Sequence, residues 1–101
     1  PLTQPKDLKL SVYPNPARGT VAVVWTVPKA TRVRLDLFNT LGQKVASLAE
    51  DTFAERGRRP LRFDLSALRI ERGAQRLPAG VYLLRLRAGS CVATAKVLYL
   101  P

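Results

Sequence analysis

Val33, Leu35 and Leu37 alternate with Arg32, Arg34 and Asp36, and this period of two restricts the fold more than any other feature of the chain. It sends apolar side chains to one face of an extended segment and charges to the other, the pattern of a half-buried β-strand. The same period recurs along the sequence. Leu8, Leu10 and Val12 alternate with Lys9 and Ser11, and Leu61, Phe63 and Leu65 with Arg62 and Asp64. Tyr82, Leu84 and Leu86 face inward while Arg85 and Arg87 face outward; Ala93, Ala95, Val97 and Tyr99 share one face opposite Thr94, Lys96 and Leu98. Val21, Val23, Trp25 and Val27 alternate with Ala22, Val24 and Thr26, so nearly every residue there is apolar or β-branched. That stretch reads as a central strand buried on both sides, with Trp25 as its largest anchor.

Turn signals separate these stretches. Pro14-Asn15-Pro16 ends the first strand, because neither proline donates a ladder hydrogen bond and each restricts the residue before it. Asn39 to Gly42 reads as a hairpin loop with Gly42 at a left-handed position, and Val45 to Leu48 returns antiparallel beside it. Asp51 to Pro60 reads as a solvent-facing loop. Ser66 is placed to cap a single helical turn, with Arg69 where a capping box would have Glu. Pro78-Ala79-Gly80 fits a β-turn, and Gly89-Ser90 a tight turn between the last two strands. About seven short strands and no helix of three turns predict an all-β fold, an immunoglobulin-like antiparallel β-sandwich. A chain of 101 residues, 47% of them apolar, suffices for one modest core. Residues 1–7, polar and proline-bounded, read as the end of a linker, and 8–101 as the domain. Without an initiating Met, the chain reads as a fragment of a larger precursor, so its own start says little about targeting.

Seventeen basic against seven acidic residues give a formal charge of +10, which invites an anionic partner. Arg32 and Arg34 share a strand face, as do Arg85 and Arg87; if their strands lie in one sheet, the four form a candidate stripe for polyanion contact. Arg56, Arg58 and Arg59 form a second cluster, in the expected loop. The plainer reading is arginine used generally on strand surfaces. Nucleic-acid binding is disfavoured, since Trp25, Phe63 and Tyr82 fall at core positions and leave no stacking platform. A carbohydrate-binding module would need Trp25, Tyr13, Tyr82 or Tyr99 exposed in a flat row, and alternation turns most of them inward.

Catalytic groups are few. There is no histidine, and the single cysteine, Cys91, sits in a hydrophobic strand where burial is expected. An intramolecular disulfide, a Ser-His-Asp or Cys-His arrangement and a zinc site are thereby excluded. Asp36, Glu50, Asp51, Glu55, Asp64 and Glu71 are scattered, each a surface partner for a neighbouring arginine. No phosphate or calcium loop is present, so no catalytic residue, metal or cofactor is assigned. No apolar run approaches the ~18 residues of a membrane-spanning helix.

Three elements taken together are more specific: "YPNPARGTVAVVWTVPKATRVRLDLFNTLGQKV" from Tyr13 to Val45, "LPAGVYLLRLRAG" from Leu77 to Gly89, and "CVATAKVLYL" from Cys91 to Leu100. In this order the chain resembles the C-terminal sorting domains of proteins exported by the type IX secretion system of Bacteroidetes and related bacteria. The resemblance places that family's motifs on Pro14, Asn15 and Pro16, on Leu35 to Phe38 with Leu41-Gly42 and Val45, on Gly80, Val81 and Tyr82, and on Lys96 and Val97. It implies a non-enzymatic module that follows cargo domains in a precursor, enters the periplasm, and is recognised by the outer-membrane translocon. It also implies a surface sortase-like peptidase that removes the domain and attaches the cargo to anionic lipopolysaccharide. The last hairpin, Val81 to Leu100, would then offer a rigid accessible edge, with Lys96 for recognition and Tyr82 and Val97 for packing. The alternative keeps the fold and makes the domain a spacer, adhesion or carbohydrate-binding accessory module of a cell-surface enzyme.

Overall fold

The alternating stretches become seven strands, β1 (Lys9–Tyr13), β2 (Thr20–Val27), β3 (Thr31–Phe38), β4 (Lys44–Ala54), β5 (Gly57–Asp64), β6 (Gly80–Ala88) and β7 (Cys91–Tyr99). The computed structural model describes residues 8–70 and 75–101; the expected linker and Glu71 lie outside the described residues. The strands form two antiparallel sheets, ordered β1-β2-β5 and β4-β3-β6-β7. This is an immunoglobulin-like sandwich in which β4 joins the sheet of β3, β6 and β7.

The core lies where alternation places it. Val21, Val23, Trp25 and Val27 of β2 are buried together with Val33, Leu35 and Leu37 of β3, Tyr82, Leu84 and Leu86 of β6, and Val97 and Tyr99 of β7. β2 is central in its sheet, and even its outward Val24 is buried. Trp25 Nε1 has no hydrogen-bond partner among the described residues, so Trp25 stabilises through burial, roughly 25 cal/mol per Å² of apolar surface removed from water. Cys91 is buried, as expected.

Three local expectations change. Asp51 to Pro60 is exposed apart from buried Ala54 and half-buried Gly57, and it is not a loop: β4 continues to Ala54, β5 begins at Gly57, and only Glu55 and Arg56 turn the chain. A bulge hides the strand in the sequence. The register shifts between Val33 and Leu35, and Asp51 adopts a left-handed φ of 45° at that irregularity, so the period of two is interrupted. The short helical turn is a 3-10 turn, Leu65–Ala67, capped by Asp64 and not by Ser66; the Asp64 carboxylate accepts from the Ser66 amide at 3.0 Å. Asp64 supplies the cap because it is the last extended residue before the turn. Pro78-Ala79-Gly80 forms a bend at Ala79, with Gly80 (φ 155°) already opening β6; the strand ladder takes up Gly80 by pairing it with Tyr99.

Candidate functional site

β1 belongs to the three-stranded sheet, yet the residues after it cross to the other sheet and lie along the outer edge of β7. Pro14 and Pro16 both follow cis peptide bonds. Between them, Asn15 Nδ2 donates to the Lys96 carbonyl at 2.8 Å, and Asn15 Oδ1 accepts from the Leu98 amide at 2.9 Å. Two residues on, the Ala17 amide donates to the Leu98 carbonyl at 2.7 Å and the Ala17 carbonyl accepts from the Leu100 amide at 2.8 Å. Ala17 is completely buried. The segment therefore acts as a short extra strand on β7, and Asn15 supplies through its side chain what a peptide group would supply through its backbone.

The other motif residues gather at the same end of the sandwich. Tyr82 pairs with Val97, and Gly80 with Tyr99. The Tyr82 hydroxyl donates to the Pro78 carbonyl at 2.6 Å, which ties β6 to the chain entering it. Burial, and secondarily the neighbouring Tyr99, raises the Tyr82 phenol above its ordinary pKa. Phe38 pairs with both Leu83 and Lys44, so the β3–β4 hairpin carrying Gly42 stands at this end too. Gly42 has φ 82°, a conformation costly for other residues, and Asn39 Oδ1 organises the loop by accepting from the Leu41 and Gln43 amides at 2.9 and 3.0 Å.

Val97 is fully buried and Tyr82 nearly so, whereas Lys96 is exposed. The edge of β7 differs from the expectation of an accessible strip. From Lys96 onward its outward backbone groups are occupied by Asn15 and Ala17, because the crossing segment needs hydrogen-bond partners of its own. The sequence does not mark Ala17 for this role, since a lone alanine beside proline gives no signal of it. Exposed Leu83 belongs to no motif, and Val81 enters only as the middle residue of Gly80-Val81-Tyr82. Alternation carried the signal, since both fall between the inward positions of β6. Leu83 pairs with Lys96 and Val81 with Leu98, so apolar groups border the Lys96 cation on one side, with Arg85 and Thr94 on the other. Leu41, 81% exposed at the hairpin tip, adds another apolar group at this end.

The four arginines of the candidate stripe do lie in one sheet, on adjacent strands, with Arg34 opposite Arg87 and Asp36 opposite Arg85. Carboxylates divide them. Arg34 Nε donates to Asp36 Oδ2 at 2.8 Å and Arg34 Nη2 to Ser47 Oγ at 3.1 Å, while Ser47 Oγ donates to Asp36 Oδ1 at 2.8 Å. Asp36 is only 8% exposed and belongs to a closed network, beyond the surface pairing expected of it. Arg32 donates to the Asp51 carbonyl at 2.8 Å, with the Asp51 carboxylate 3.8 Å away. Arg85 lies 5.6 Å above the Phe38 ring. Of the aromatics that could line a sugar site, Trp25, Tyr82 and Tyr99 are buried and Tyr13 is exposed, so no flat row forms among them.

Residues 11–99 match the family model for a secretion system C-terminal sorting domain. Among solved structures, the crystal structure of dimeric latent PorU from Porphyromonas gingivalis is similar, with a TM-score of 0.65 at 16% identity over 92% of this chain. The match spans 9% of that chain, and at this identity it bears on the fold alone. No curated protein matches.

Proposed function

The chain belongs to the family of type IX secretion C-terminal sorting domains, and from that membership we propose that it works as a folded, non-catalytic export signal read at the end of the sandwich where its motifs meet. One observation supports this reading above the others. Pro14-Asn15-Pro16, Gly80-Val81-Tyr82 and Lys96-Val97 are far apart in sequence, yet direct pairing and hydrogen bonds join them. Tyr82 and Val97 hold the interior, and Asn15 holds β7 in place. Lys96, Leu83 and Val81 are left outward, a cation amid apolar groups, as a docking surface for the outer-membrane translocon.

In the rest of this reading, the cargo lies N-terminal to Leu8 and crosses the periplasm with the domain attached. A surface sortase-like peptidase separates the two within residues 1–7 and joins the cargo to anionic lipopolysaccharide. Mass spectrometry of released cargo checks the cut: a cargo ending beyond Asn15 contradicts it. The recognition role is tested by fusing a reporter to this chain in a bacterium with an active type IX system. Export with the intact chain, and its loss on K96A, on L83D or on removal of the last five residues, is expected. Export unchanged by all three would refute recognition at this end, and no export of the intact fusion would favour a spacer or adhesion module.

A further inference from the structure

Arg87 and Lys96 of the four-stranded sheet are exposed and outside the ion pairs formed among the described residues, and a further set of such cations lies on the opposite sheet. Lys9, Arg58, Arg59 and Arg62 are exposed, and the ion pairs formed among the described residues involve Arg32 and Arg34 instead. Leu61 and Phe63 of β5 pack on the core, so alternation turns Arg58 and Arg62 to the outer face of the three-stranded sheet. Register places Lys9 and Arg58 on either side of Thr26, and Tyr13 and Arg62 on either side of Ala22. The side chains between are small. Asp64 shares the face, but its carboxylate is turned to the Ser66 amide and hydroxyl.

We infer that this face of β1, β2 and β5 docks on a membrane surface rich in anionic phospholipid headgroups. The cations are spread in a plane, about 10 Å apart across two strands and roughly 13 Å apart along β5, which matches an array of phosphates better than a single bound one. Arginine suits phosphate oxygens through paired donors. Tyr13, 51% exposed on the same face, adds an amphipathic ring of the kind that settles at a headgroup boundary. An acidic polypeptide strand fits less well: Pro60 stands mid-strand in β5, at the sheet edge, and offers no N–H for an added strand.

The inference does not depend on the sorting role, and the purified chain tests it without export. Vesicles of one-third phosphatidylglycerol in phosphatidylcholine should bind the chain at low ionic strength, pure phosphatidylcholine should not, and binding should weaken toward ~0.15 M salt. Each cation near such a surface is worth about a fivefold change in partitioning. K9Q/R58Q/R62Q should thus lose on the order of a hundredfold, and K9R/R58K/R62K should retain binding. The charge-matched variant R85Q/R87Q/K96Q removes the same net charge from the other sheet and should lose less than about tenfold. Equal losses for the two glutamine triples, with both melting like the parent, would show diffuse attraction and overturn the assignment, as would binding indifferent to phosphatidylglycerol.

Discussion

Asn15 stands against Leu98 as a neighbouring strand's peptide group would. Its Oδ1 accepts from the Leu98 amide at 2.9 Å, while its Nδ2 reaches the Lys96 carbonyl at 2.8 Å. A connection between two strands of one sheet thereby covers the edge of the other sheet.

Replacing Asn15 with Ala should destabilise the domain by about 1–2 kcal/mol, two hydrogen bonds at the modest net value of partly exposed ones. Urea unfolding measures the loss, and amide exchange at Leu98 should accelerate. An unchanged midpoint with unchanged Leu98 exchange would mean the carboxamide is incidental.

Tyr82→Phe should cost about 1 kcal/mol at neutral pH through loss of the bond to the Pro78 carbonyl. It should also alter the alkaline limb of stability. Because burial and then Tyr99 raise the folded Tyr82 pKa, the unfolded chain releases this proton first, near pH ~10. Above that pH the unfolded state binds fewer protons than the folded one, so stability falls as pH rises through the folded pKa and is complete below ~10. Y82F should therefore lose less stability than the parent between pH ~9 and ~11; parallel curves would argue against the assignment.

Asp36→Ala removes the carboxylate that accepts from both Arg34 and Ser47, and leaves Arg34 and Arg87 directly opposite each other. A loss of about 1–3 kcal/mol is expected, partly recovered by added salt as like charges are screened. Thermal melts at low and high ionic strength would show it. A salt-independent loss would assign the effect to packing alone.

Lys96 and Val97 should separate stability from recognition. V97A empties a fully buried position and should cost about 2 kcal/mol. K96A should stay within roughly 0.5 kcal/mol of the parent. If K96A unfolds the domain as readily as V97A does, an export defect from K96A could no longer be attributed to recognition.

Strand existence and facing were legible because burial on one face leaves a period of two: Val33 to Leu37 and Tyr82 to Leu86 placed their core residues without help from any distant part of the chain. Where the period breaks, local reading stops. The bulge at Asp51 turned the end of β4 and the start of β5 into an apparent loop, and the cap at Asp64 depended on where the strand gave way to the turn. The candidate site was legible as separate motifs. That Leu83 and Val81 border Lys96 required the β6–β7 register, although their outward positions were already implied by their neighbours.

An all-β sandwich, its core, the turns at Asn39–Gly42 and Gly89-Ser90 and the family's motifs follow from residues close along the chain. It took the packed sheets to show that Asn15 caps β7, that Asp36 divides the arginine stripe, and that Lys9, Arg58 and Arg62 share one face across β1 and β5. Those outcomes depend on which strands lie side by side and in what register, and on which charges find partners there. Hydrogen bonding and charge pairing act between neighbours in space, and the order of strands in the two sheets sets that neighbourhood.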